Sequence, residues 1–194
     1  MAAGVAASRL GRAARAVADP AITPFRYREE DAMTDTRTVD LSPRFAEGSK
    51  MRVVGLAERY DAVTMNRIPE QWAHFQQRLG EVQGRFEQAQ FGIFYQRGEN
   101  PFAFEYVTAV MVGDDAPLPA GFVERRLPAR PHAVFTHRGE PSGLRPLVDG
   151  IFHDWLPRSG RKAGGEPDFV EVYGEDFDPV RLRGVIEVWV PLAE

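Results

Sequence analysis

From Met51 onward the spacing of hydrophobic positions changes period several times. "MRVVGLAERYD" (Met51–Asp61) has the apolar density and length of a strand. In "IPEQWAHFQQRLGEVQGRF", Ile68, Trp72, Phe75, Leu79, Val82 and Phe86 step by fours and threes. That spacing predicts one face of an α-helix, with Pro69 in its first turn. "FGIFYQ" (91–96) reads as a short strand, "RGENP" as a turn, and "FAFEYVTAVMV" (102–112) as a longer strand.

After the break "GDDAPLPAG" the order recurs. Residues 122–139 are extended and interrupted by prolines. Leu144, Leu147, Val148, Ile151, Phe152, Trp155 and Leu156 form a second helical stripe, closed by Pro157 and Gly160. "DFVEVYGEDF" is the matching short strand and "GVIEVWVPLAE" the closing one. The expected fold class is α+β: two pseudo-symmetric β-α-β-β units that join their antiparallel sheets and leave a groove along the seam. Pockets favour such junctions.

Alternation in "VEVY" puts Glu171 and Tyr173 on one strand face and Val170 and Val172 on the other. By itself that pattern also fits a carboxylate on the solvent side of a one-sided sheet. Of Phe94 and Tyr95 in the first short strand, one should face the groove, and Tyr95 is the choice. Glu105 and Tyr106 suit either a solvated strand edge or the pocket, and Tyr106 is the candidate of the two. Phe135 could line groove or core. Trp72 and Trp155 sit on the apolar faces of the two helices, which suits core packing, and Trp155 is also kept as a wall candidate. Trp189 shares a strand face with Glu187 and is expected to be partly exposed or groove-facing.

Composition narrows the function. The 194 residues suffice for one domain with a real core. A net charge of −4 counts against a general nucleic-acid binder. No cysteine is present, so disulfides and thiolate metal sites are excluded and a reducing, cytoplasmic setting is expected. No apolar run reaches membrane-spanning length. His74, His132, His137 and His153 show no ligand spacing, so no metal and no haem is expected. "RKAGGE" lacks the flanks of a phosphate loop, and Ser159 lacks a nucleophile elbow. Residues 1–32 are Ala- and Arg-rich, with Arg9, Arg12 and Arg15 at helical spacing but without the continuous apolar core of a secretory signal, and read as a frayed or weakly helical extension before a domain over 33–194. Met33 looks like an ordinary start, and the extension is expected to reflect a misplaced upstream one.

Four motifs in order carry a family resemblance: "RPHAVFTHRG" (130–139), "FHDWLPRSG" (152–160), "VEVYGEDFDP" (170–179) and "IEVWVPL" (186–192). With "IPEQWAHF" and "FGIFYQ", they resemble the GyrI-like small-molecule-binding domain. That domain also serves as the effector-binding part of AraC-type and MerR-type multidrug regulators. The resemblance implies a duplicated SHS2-like module around a ligand groove, with Glu171 and Tyr173 facing lipophilic, often cationic molecules. It departs from the usual pattern at Val170, where an aromatic commonly precedes the Glu; Phe169 stands one position earlier.

A carboxylate in an apolar cleft is costly unless paired, and a ligand cation would supply the partner. Aromatic walls would add about 0.5–2 kcal/mol each through cation–π attraction. Residues 1–49 look too short for a DNA-binding region, so a stand-alone binding module without cofactor, nucleic acid or membrane is expected. Its roles would be sensing, sequestration or drug resistance, with a separate regulator as a possible partner. The alternative is a hydrolase that opens strained-ring electrophiles with Glu171 as base and Tyr173 assisting. A topoisomerase-binding inhibitor ranks below both.

Overall fold

The computed structural model describes residues 39–96, 100 and 102–193. The expected extension over 1–32 lies outside them. Eight strands form one sheet: β1 (Arg44–Gly48), β2 (Met51–Asp61), β3 (Arg85–Tyr95), β4 (Ala103–Val112), β5 (Val123–Leu127), β6 (Arg130–Gly139), β7 (Phe169–Asp178) and β8 (Arg183–Pro191). Their order is β1-β6-β8-β7-β3-β4-β2-β5, and every ladder is antiparallel. Helix α1 (Ile68–Arg78) joins β2 to β3. Between β6 and β7 run α2 (Leu144–Gly150), a π-helical turn (Ile151–Trp155) and a last turn, α3 (Leu156–Arg158). The architecture is α+β.

The sheet has to curl. β1 lies at one edge and β2 next to the other, yet only Ser49 and Lys50 connect them. Strands stand about 4.8 Å apart, so a flat sheet would put these two roughly 29 Å from each other. Two linking residues reach only about 10 Å. Residues 128–129, between β5 and β6, impose the same closure from the other edge. Curling also explains a core that no helix among the described residues covers: Val53, Ile93, Tyr95, Val107, Leu127 and Val170 are buried together. On the opposite face, Phe75 and Val82 pack with Val54 and Val110 near α1, while Leu147 and Ile151 pack with Phe135 and Ile186 near α2.

Four sequence expectations need correction. The stripe ending in Phe86 is too long: the helix stops at Arg78, and a 3-10 turn (Leu79–Glu81) and Gly84 at φ +66° lead into β3, where Phe86 is 46% exposed. β3 is longer than "FGIFYQ" and begins at Arg85. Residues 122–139 form two strands that lie far apart in the sheet order. β1 has no counterpart in the sequence reading.

Candidate ligand-binding site

β7 and β3 meet in the middle of the sheet, where Phe169, Glu171 and Tyr173 oppose Phe94, Gly92 and Gln90. Beyond that short ladder both strands lose register with their outer neighbours: β3 against β4 between Arg85 and Gln90, and β7 against β8 between Tyr173 and Phe177. Such bulges bend a strand locally and end regular pairing. The sheet opens here into a cavity of about 970 Å³, within the range of small-molecule sites. α1 supplies one wall through Ile68, Trp72 and Gln76, and α2 the other through Leu144, Arg145, Val148 and Asp149. Phe94, Tyr106, Phe169, Glu171 and Tyr173 line its sheet side, and Glu87, Glu140, Glu175 and Leu182 line it further out.

Glu171 is 6% exposed. Its Oε2 accepts hydrogen bonds from Tyr106 Oη at 2.8 Å and Tyr173 Oη at 3.0 Å. Tyr106 Oη in turn accepts from Trp72 Nε1 at 2.9 Å. The chain of donors therefore runs from indole to phenol to carboxylate. Burial, and then the adjacent Glu171, push both phenols well above their ordinary range, so both stay protonated donors. Among the described residues, Oε1 accepts no hydrogen bond and no cationic side chain pairs with the carboxylate. Burial pushes its pKa from 4.5 up to about 7, against the opposing pull of the two tyrosine hydrogen bonds.

Room for this arrangement comes from Gly92. A Cβ at that position would run into Tyr106 Oη and lie 2.6 Å from Glu171 Oε2. Alongside, Phe94 stacks on Phe169 with ring centres 4.1 Å apart and planes 19° apart. Trp72 meets Tyr173 edge-on at 5.1 Å. Gln71, on the same helix as Trp72, holds α1 to the sheet: its Nε2 donates to Leu56 O at 2.8 Å and Tyr106 O at 3.1 Å. The site thus presents an aromatic-walled hollow with one poorly solvated carboxylate oxygen. It can accept a hydrogen bond, face a positive charge or hold a proton. Among the described residues, no three His, Asp or Glu side chains converge to ligate a metal ion.

Three of the sequence-predicted residues, Glu171, Tyr173 and Tyr106, come together on this cavity. Four do not line it. Tyr95 packs on the opposite sheet face with Ile93 and Val107, because strand alternation gives the cavity position to Phe94. Phe135 is fully buried in the core, T-shaped against Trp155 with ring centres 5.0 Å apart. Trp155 also faces Phe45 of β1 and is spent on that packing. Trp189 lies on the same face as Tyr95, under the Arg44 guanidinium at 5.1 Å, and donates to Glu187 Oε2 at 2.9 Å. The sequence reading missed Trp72, Gly92, Phe94 and Phe169. Phe169 had a usable signal: it has the same strand parity as Glu171 and Tyr173.

Comparison with known proteins agrees with this picture. A family model for the GyrI-like small molecule binding domain matches residues 42–193. The transcriptional regulator BrlR of Pseudomonas aeruginosa is 27% identical over 158 residues, which is 80% of this chain. The chain spans 57% of the length of that regulator. Among solved structures, SAV2435 bound to tetraphenylphosphonium superposes with a TM-score of 0.63 at 19% identity, over 78% of this chain and 94% of that one. The C-terminal domain of EcmrR gives 0.56 at 14% identity, over 79% and 98%. At such identities the structural likeness concerns the fold.

Proposed function

We propose, for a chain that belongs to the GyrI-like small-molecule-binding family, that the cavity between α1 and α2 captures amphipathic organic cations carrying aromatic groups. One observation carries the reading: Glu171 is buried among aromatic rings without a cationic partner among the described residues, and one of its oxygens is unused. A bound cation would supply the missing charge, and the rings would stabilise it further through cation–π contacts. Glu171 is the counter-charge, Tyr106 and Tyr173 hold it in place, and Trp72, Phe94 and Phe169 are the walls. In the cell such capture serves sensing, sequestration or drug resistance. Hydrolysis of strained electrophiles is the less favoured reading, since the relatives point to regulators and to a protein solved with its ligand bound.

Tetraphenylphosphonium, present in the SAV2435 structure, is the natural probe. Its binding should be followed by tryptophan fluorescence, since Trp72 lines the cavity. Wild type should show saturable binding. Glu171→Gln should weaken it by about tenfold to a hundredfold, the worth of one charge-assisted contact in a poorly solvated site. Equal affinity in both proteins would remove Glu171 from the site. Turnover of a ring-strained alkylating compound by wild type, with no tetraphenylphosphonium binding, would instead support hydrolysis.

A further inference from the structure

The cavity's charge is uneven along its depth. Chain-wide, acidic residues number 28 and basic ones 24. The cavity lining, by contrast, holds five carboxylates and a single guanidinium. Glu171 is the deep one, buried, with Oε1 free of hydrogen bonds among the described residues. Two others are already compensated: Glu87 pairs with a neighbouring arginine at 3.1 Å, and Asp149 lies 3.9 Å from Arg145. Glu140 and Glu175 are different. Both are solvent-exposed, line the cavity, and have no ion pair among the described residues. They come from different elements, Glu140 from the connection into α2 and Glu175 from the bulged part of β7. Apolar and aromatic side chains, among them Phe94, Leu144, Val148 and Phe169, line the same cavity.

We infer that the cavity selects amphipaths with two cationic centres joined by an apolar spacer, the inner centre met by Glu171 and the outer by Glu140 and Glu175. This rests on the proposed cation-binding reading and extends it to a substrate class. A single cation satisfies only the deep carboxylate and leaves the outer two in water. A second centre adds two partly solvated ion pairs, each modest and each sensitive to salt. The same outer charges would raise the local concentration of any cation near the entrance.

The test compares decamethonium, which has two quaternary ammonium ends on a ten-carbon chain, with decyltrimethylammonium below its micelle threshold. The spacer is the same and one charge is removed. Affinities are measured calorimetrically at low and raised salt, in wild type and in the Glu140→Gln/Glu175→Gln double variant. Both substituted side chains are exposed, so the variant should fold. Decamethonium should bind about fivefold to tenfold tighter, beyond the statistical gain of having two ends. That preference should shrink with salt and disappear in the double variant. Equal affinities in wild type, or a preference that survives the double substitution, would overturn the inference while leaving cation binding intact. If neither compound nor tetraphenylphosphonium binds, the underlying reading fails with it.

Discussion

The two strands at the middle of the sheet face each other residue for residue, yet contribute opposite things. β7 brings Phe169, Glu171 and Tyr173 to the cavity; β3 sets Phe94, Gly92 and Gln90 against them. Chemistry comes from one strand, and the space for it from the other. Opposite the carboxylate stands the one residue type with no side chain. Glu171 and the Tyr106 hydroxyl occupy what a β3 side chain would otherwise fill. A buried acid therefore depends on a glycine in another segment, 79 positions earlier by residue number. Neither strand alone identifies the site.

Substitution on the β7 side should have the larger effect on stability. In the folded protein Glu171 keeps its proton up to about pH 7, while the unfolded chain releases it near 4.5. Stability from the neutral form is thus complete below 4.5 and lost as pH rises through 7, a swing of about 3 kcal/mol for a group this buried. Glu171→Gln has no proton to lose. Its unfolding free energy in urea should exceed that of wild type at pH 8, and the two should converge towards pH 4.5. A variant less stable than wild type at pH 8 would mean that the carboxylate is compensated by something other than the two tyrosines.

On the β3 side, Gly92→Ala places a methyl group where Tyr106 Oη and Glu171 Oε2 now lie. Overpacking of this kind costs about 1–3 kcal/mol. It should also displace the carboxylate and weaken tetraphenylphosphonium binding, even in protein that remains folded by circular dichroism. Unchanged stability together with unchanged affinity would show that β3 does not provide the room assigned to it.

Much of the fold was legible because its period was clean. The spacing from Ile68 to Phe75 gave α1, and the run 51–61 gave β2. β1 was not, since its only large apolar residue, Phe45, is 58% exposed and sets no alternation. Phe86 continued the helical spacing by coincidence, past Gly80 and the left-handed Gly84. In the site, parity alone joined Glu171 to Tyr173. Choosing between Phe94 and Tyr95 required the register, which sets Phe94 opposite Phe169. Trp72 and Trp155 occupy equivalent stripes in sequence. Only packing separates them: one donates to Tyr106 over the cavity, and the other is wedged between Phe135 and Phe45.

The central claim is that a buried carboxylate meets a ligand's positive charge, and the pH dependence of tetraphenylphosphonium affinity tests it most directly. The probe's charge does not titrate, so any change belongs to the protein. With Glu171 titrating at about 7, wild-type affinity should level off above that point and fall below it, by up to about tenfold per pH unit, until it reaches the affinity of Glu171→Gln. Burial also pushes the Asp149 carboxyl up, partly offset by Arg145 and His153, so the same titration is run on Glu171→Gln to isolate Glu171. There the steep limb should vanish. A wild-type affinity that stays level from about pH 5.5 to about 8.5, or a slope that persists in Glu171→Gln, would contradict the account.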